Sequence, residues 1–89
     1  MIRRTVHYSG HVQGVGFRAT AEQLARRFSV AGYARNLDDG RVELVVEGEP
    51  EEVKRYLSEL ELTMARHIRQ ALADDSPATG EFDRFRARL

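Results

Sequence analysis

The stretch Gly10-His11-Val12-Gln13-Gly14-Val15-Gly16-Phe17-Arg18-Ala19 joins a segment of alternating polarity to one of helical spacing, and it holds three glycines and one arginine. Before it, Ile2, Val6 and Tyr8 fall on one side and Arg3, Thr5 and His7 on the other, the period of a strand covered on one face. After it, Phe17, Ala21, Leu24, Ala25 and Phe28 form an apolar stripe opposite Arg18, Glu22, Gln23 and Arg26. Glycine tolerates positive φ and close approach, so the backbone N–H groups of such a loop can converge on one oxyanion at a helix start, with Arg18 beside it. Ala31-Gly32 is expected to close the helix.

Farther on, Tyr33 to Leu37 and Arg41 to Glu47 flank Asp38-Asp39-Gly40, whose Asp-Gly pair predicts a hairpin between two antiparallel strands. Val42, Leu44 and Val46 point to one face, Arg41, Glu43 and Glu47 to the other, and Val45 breaks the pattern. Gly48-Glu49-Pro50 ends the strand, and Pro50, Glu51 and Glu52 suit the first turn of a helix with a buried stripe of Val53, Tyr56, Leu57 and Leu60. Ala65 to Ala73 reads as a strand, Asp74 to Gly80 as a loop, and Phe82 to Leu89 as a short last strand. This order predicts an α+β, ferredoxin-like βαββαβ sandwich. Its antiparallel sheet has four strands plus a short fifth, with both helices on one face and Thr5, His7, Glu43 and Glu47 wet on the other. Tyr8, Phe17, Phe28, Tyr33, Phe82 and Phe85 are expected mostly in the core.

With 89 residues the chain is expected to be a single domain over residues 1–89, probing one core and no second lobe. Hydrophobic residues at 42% and charged ones at 31% fit a globular protein, and no apolar run approaches the roughly 20 residues that span a bilayer. Met1-Ile2-Arg3-Arg4 reaches charge at once, unlike a secretory signal, so a cytoplasmic location is expected. There is no cysteine, which excludes disulfides, thiolate ligands and thiol nucleophiles. Fourteen basic and fourteen acidic residues cancel, giving no global field toward nucleic acid. Arg3, Arg4, Arg18 and Arg35 are expected to form a local basic spot suited to a small anion.

Three chemistries compete for the glycine loop. Gly14-Val15-Gly16-Phe17-Arg18-Ala19 formally fits a dinucleotide fingerprint, with Asp38 or Asp39 about twenty residues on. That fold requires a parallel sheet and more chain, and these acids sit in a hairpin turn. A Walker A loop needs lysine followed by serine or threonine after the last glycine, where this chain has Phe17-Arg18-Ala19. The remaining reading is a metal-free oxyanion cradle closed by an arginine fork, whose planar geometry suits two phosphate oxygens.

The stretch from Gly10 to Arg18 closely resembles the acylphosphatase signature. Gly32-Tyr33-Ala34-Arg35-Asn36-Leu37-Asp38-Asp39-Gly40-Arg41-Val42-Glu43 resembles that family's second block, and Glu47-Gly48 with the acidic helix after it resembles the third. The resemblance implies hydrolysis of an acyl phosphate to a carboxylate and inorganic phosphate, with no cofactor and no metal. It implies that Arg18 binds phosphate, that Asn36 positions the attacking water, and that the backbone of Gln13, Gly14, Val15, Gly16, Phe17 and Arg18 forms the phosphate cradle. Expected partners are a small acyl phosphate and inorganic phosphate, with no nucleic acid and no membrane, and a monomer. Where family members carry a Gly-Pro pair after the second helix, this chain has Leu60-Glu61-Leu62-Thr63-Met64.

Taken singly, Arg18 reads as a solvated helix residue and Asn36 as a strand-end residue before a turn; the matching blocks give them their roles. His11 reads as a loop histidine, and His7 and His67 lack companions at ligand spacing. Alternatives to the enzyme are a non-catalytic phosphate- or anion-binding module and an RNA-binding ferredoxin-like module. The aromatic motifs of the RRM are absent, and neutral net charge disfavours RNA.

Overall fold

The chain forms β1 (Ile2–Gly10), α1 (Phe17–Ala25), β2 (Val30–Asn36), β3 (Val42–Gly48), α2 (Pro50–Thr63), β4 (Ile68–Pro77) and β5 (Phe85–Ala87) in a computed structural model that describes residues 1–89. One sheet, ordered β4-β1-β3-β2-β5, contains all five strands. This is the expected ferredoxin-like βαββαβ arrangement with a short fifth strand. Register pairs Val6 with Leu44 and Tyr8 with Val42, so the inward residues of β1 and β3 share a face. They enter one core with Phe17, Ala21 and Ala25 of α1 and Val53, Tyr56, Leu57 and Leu60 of α2. Tyr56 satisfies its buried hydroxyl by donating to the Ala21 carbonyl at 2.7 Å, which fixes one helix against the other.

The sheet is mixed, where an antiparallel one was expected. β5 runs parallel to β2, with Gly32 N–H donating to Arg84 O at 3.2 Å and Arg88 N–H to Ala34 O at 2.8 Å. After β4 the chain crosses the helix-free face and enters at the opposite edge, which sets this direction. α1 is also shorter than its apolar stripe suggests. It stops at Ala25, the N–H groups of Arg27 and Phe28 turn back to the carbonyls of Leu24 and Ala25, and Ala31-Gly32 belongs to β2. Gly32 serves strand packing instead of a helix stop, because a Cβ there would lie 1.9 Å from the Val45 carbonyl oxygen. β4 includes Asp74 to Pro77, expected as loop. Arg4 grips Asp75 across the β1–β4 ladder through two hydrogen bonds of 2.7 and 2.9 Å, a cross-strand pairing that apolar periodicity does not register. Leu60 to Thr63, in place of the Gly-Pro pair, continue α2, and Met64 caps it while packing into the core.

The helix-free face is not uniformly wet. Glu47, expected in solvent, is 6% exposed. Its carboxylate accepts from Arg3 Nε at 2.8 Å, from the Thr79 N–H and hydroxyl at 2.9 and 3.0 Å, and from the Gly80 N–H at 3.0 Å. Tyr33 and Phe82, expected in the core, pack together on this face with ring centroids 5.8 Å apart, and neither belongs to the main cluster. Val45, the exception in its strand, is buried here opposite Tyr33. Nor do the four arginines form a basic spot: Arg3 pairs with Glu47 and Glu81, Arg4 with Asp75, and Arg35 with Glu43.

Burial opposes ionisation of Glu47, but the amides of Thr79 and Gly80, the Arg3 guanidinium and the Thr79 hydroxyl outweigh it and hold its pKa at about 2, against an ordinary 4.5. A depressed carboxyl stabilises the fold above its unfolded-state pKa and loses that contribution as pH falls through the folded one. Glu47→Gln is therefore expected to lose about 2 kcal/mol at neutral pH, the scale of hydrogen bonds to a charged group. In urea unfolding series its deficit should shrink as pH drops from 4.5 toward 2.

Candidate phosphate site

β1 delivers the chain into the glycine loop, and α1 begins where the loop ends. Val12, 1% exposed, and Phe17, 2% exposed, plug into the core at either end, Phe17 against the Tyr8 ring at 5.1 Å. Between them Gly14 and Gly16 take φ of 77° and 79°. Gly16 is the N-cap of α1 in a left-handed conformation, so the chain reverses into the helix without a capping side chain. No backbone or side-chain acceptor in the chain receives the N–H groups of Gly14 through Ala19. Free helix-start amides beside a glycine turn form an electropositive nest for an anion.

The loop is tied to the hairpin that follows β2. The Gln13 side-chain amide donates to the carbonyls of Leu37 and Arg41 at 2.8 and 3.0 Å. Those residues bracket Asp38-Asp39-Gly40, so Gln13 sets the distance from the loop to Asn36 at the end of β2. A depression of about 270 Å³ opens there, lined by Val12, Gly14, Gly16, Phe17, Arg18, Ala19 and Asn36 together with Ala87, Arg88 and Leu89. Arg18 and Asn36, separated in sequence by a helix and a strand, thus meet at one surface. Of the other expected cradle residues, Gly14, Gly16 and Phe17 line it; Gln13 acts as the tether, and Val15 packs toward the core.

Arg18 has no carboxylate partner, unlike Arg3, Arg4 and Arg35; its Nη1 donates to the carbonyl of Arg88. That carbonyl is fixed because the Arg88 N–H bonds Ala34 and its guanidinium lies 3.9 Å from the centre of the Tyr33 ring. The charge of Arg18 is oriented without being neutralised, which suits it to a dianionic ligand. This third wall, Ala87 to Leu89, was missed by sequence reasoning, since no periodicity or motif in the tail places it against the loop. A larger depression of about 540 Å³ lies between α1 and β5, lined by Glu22, Arg26 and Asp83 to Ala87 among others, and contains no loop residue. The free amides and Arg18 border the smaller depression, not this one.

The helix-free face gives no stacking platform for bases, because Tyr33 and Phe82 lie against each other and under guanidinium groups of Arg88 and Arg3. His11 and His67 stand near one another, ring centroids 6.4 Å apart, away from the depression.

The family profile of acylphosphatases matches residues 4–87. The chain belongs to the acylphosphatase family. It is 46% identical over 79 residues to an acylphosphatase of Marinobacter nauticus, a match covering 88% of this chain and 86% of that one. Among solved structures, an acylphosphatase from Bacillus subtilis superposes with a TM-score of 0.88 at 26% identity over the whole of both chains. T. kodakarensis HypF, a much larger chain, superposes through 12% of its length with a TM-score of 0.84 at 28% identity. The fold and the enzyme class expected from the resemblance are both upheld.

Two substitutions test how this acylphosphatase builds its loop. Gln13→Ala is expected to cost about 1–2 kcal/mol by removing both tethering hydrogen bonds, while the Leu37 and Arg41 carbonyls keep the N–H donors of Gly40 and Leu37. Gly16→Ala meets open space but a left-handed φ that L side chains rarely adopt, and should cost about 1–2 kcal/mol. In two-dimensional NMR, inorganic phosphate should shift the amide signals of residues 14–19 in the wild type and do so more weakly in both variants.

Proposed function

We propose that residues 1–89 act as one acylphosphatase unit that hydrolyses the carboxyl–phosphate bond of small acyl phosphates, with Arg18 and the loop amides holding the phosphoryl group and Asn36 orienting water. The observation that carries this reading is that Arg18, Asn36 and the unpaired amides of one glycine loop border the same depression. The water oxygen forms the new P–O bond while the bond to the acyl oxygen breaks, and its electron pair leaves with the carboxylate. A carboxylate is a good leaving group at neutral pH, its conjugate acid having a pKa of about 4, so no general acid is required.

In the loose transition state of phosphoryl transfer, charge gathers on the equatorial oxygens, where amide N–H groups and a guanidinium stabilise it. Asn36 is half-buried, and its carboxamide makes no hydrogen bond within the protein, which leaves its oxygen able to accept from water and its nitrogen able to donate. It cannot take the water's proton, which passes to a phosphate oxygen of the substrate. The acyl portion projects from the open depression and is held loosely, so the reaction tolerates different acyl groups. Each chain carries a complete site, so the catalytic unit is one chain. No helix is long and apolar enough to cross a membrane, and a small acyl phosphate substrate fits a cytoplasmic setting.

Benzoyl phosphate hydrolysis, followed by absorbance, tests the assignment. Turnover is expected to persist in EDTA and to fall by about 10²-fold or more in Arg18→Ala and Asn36→Ala, the scale of losing a preorganised transition-state contact. Arg18→Ala should also weaken inhibition by inorganic phosphate, and Asn36→Ala should leave that inhibition nearly intact. Wild-type rates in either variant would refute these roles.

A further inference from the structure

Glu22 stands on α1 one turn beyond Arg18 and one turn before Arg26 at the helix end, so a carboxylate lies between two guanidinium groups spaced four residues to either side. Oppositely charged neighbours at this spacing ordinarily pair with each other. Here neither arginine takes the carboxylate. Arg18 Nη1 donates to the Arg88 carbonyl, and Glu22 Oε2 accepts the Ala87 N–H at 2.8 Å. Two side chains from one helix face thus hold successive residues of the tail, one by its N–H and the next by its carbonyl.

Polar bonds, not burial, hold this part of the chain. Phe85 is its last buried residue, with its ring centroid 5.5 Å from that of Tyr56, and Arg86 to Leu89 are exposed. β2 bonds the inner side of β5 through the Arg84 carbonyl and the Arg88 N–H, whereas the Ala87 N–H turns away from β2 toward α1. Its acceptor is a carboxylate, which makes the bond charge-assisted and stronger than a neutral one. Ala87 borders both the phosphate depression and the larger depression between α1 and β5, while Glu22 borders only the larger one.

We infer that Glu22 is a positioning residue for the reaction proposed above: by holding the Ala87 N–H it fixes the Arg88 carbonyl against which Arg18 is oriented. This inference rests on the assignment of Arg18 to the phosphoryl group. The same bond keeps the carboxylate engaged, so that it does not turn to Arg18 and neutralise the charge that the dianion requires. Glu22 acts on the phosphate site through the tail, without lining the depression. Its role needs an acceptor oxygen at the reach of a glutamate side chain, not a negative charge.

That requirement orders the variants in benzoyl phosphate hydrolysis. E22Q, whose carboxamide oxygen reaches the same N–H as a neutral acceptor, is expected to keep kcat/KM within about threefold of wild type. E22D keeps the charge but is one methylene short, and E22A loses both. Each of these two should lower kcat/KM about tenfold and weaken inhibition by inorganic phosphate by a similar factor, the scale of one hydrogen bond to a charged group. Amide exchange at Ala87 and Arg88, read by NMR, should quicken in E22D and E22A and stay slow in E22Q, with Val46 in the sheet centre unchanged. In an R18A background none of the three should weaken phosphate binding further, as read from the loop amide signals, because residues that act through one another are not additive. Circular dichroism confirms that each variant is folded, and E22D with E22Q decides the matter even where E22A does not fold. Wild-type rates in R18A would refute the reading on which the inference rests. An impaired R18A beside fully active E22D and E22A overturns the inference alone. So does an E22Q slower than E22D, or losses of equal size with and without Arg18.

Discussion

Two hydrogen bonds from the side chain of Gln13, to the carbonyls of Leu37 and Arg41, tie together two parts of the molecule that are distant in sequence. One part is a loop whose amides have no internal acceptor; the other is the hairpin that carries Asn36. A loop with unpaired donors is soft by itself, since nothing within it resists rearrangement toward internal hydrogen bonding. Burial of Val12 and Phe17 anchors its two ends, and the Gln13 tether fixes its middle against the sheet. The amides therefore remain both free and pointed, which is what preorganised stabilisation of charge requires.

The charges of the protein follow the same economy. Its balanced total conceals a sorting: the arginines of β1 and β2 are engaged by carboxylates across the ladder, through Glu43, Glu47 and Asp75. Glu43 shows this well. Burial opposes its ionisation, yet hydrogen bonds from Arg35, Tyr33 and His7 outweigh that and hold its pKa below the ordinary carboxylate value. Arg18 is set apart because its nearest fixed partner is a carbonyl, which orients the guanidinium while leaving its charge available.

The sequence made the centre of the fold legible and left its edges obscure, for a physical reason. The stripes of Val42, Leu44 and Val46 and of Val53, Tyr56, Leu57 and Leu60 report burial on one face, and those elements form as expected. β4 has almost no buried residue, so its extension through Asp74 to Pro77 depends on backbone pairing and the Arg4–Asp75 grip, which leave no hydrophobic period. The end of α1 was misplaced because Gly32 resembles a helix stop, although its role is to admit the Val45 carbonyl. In the site, Arg18, Asn36 and the glycines were visible in local motifs. The function of the Gln13 side chain and the wall at Ala87 to Leu89 depended on contacts distant in sequence, for which a single chain offers no pattern.

The parallel pairing of β5 with β2 has a consequence for how the molecule comes into being. The loop and Asn36 are synthesised early, and β1, β2 and β3 can pair while translation continues. The carbonyl that orients Arg18 belongs to Arg88, which docks on Ala34 only after the whole intervening helix and β4 have emerged. Closing so long a loop is slow compared with forming a hairpin. The contact that orients Arg18 is thus among the last that the elements described here can make as the chain emerges.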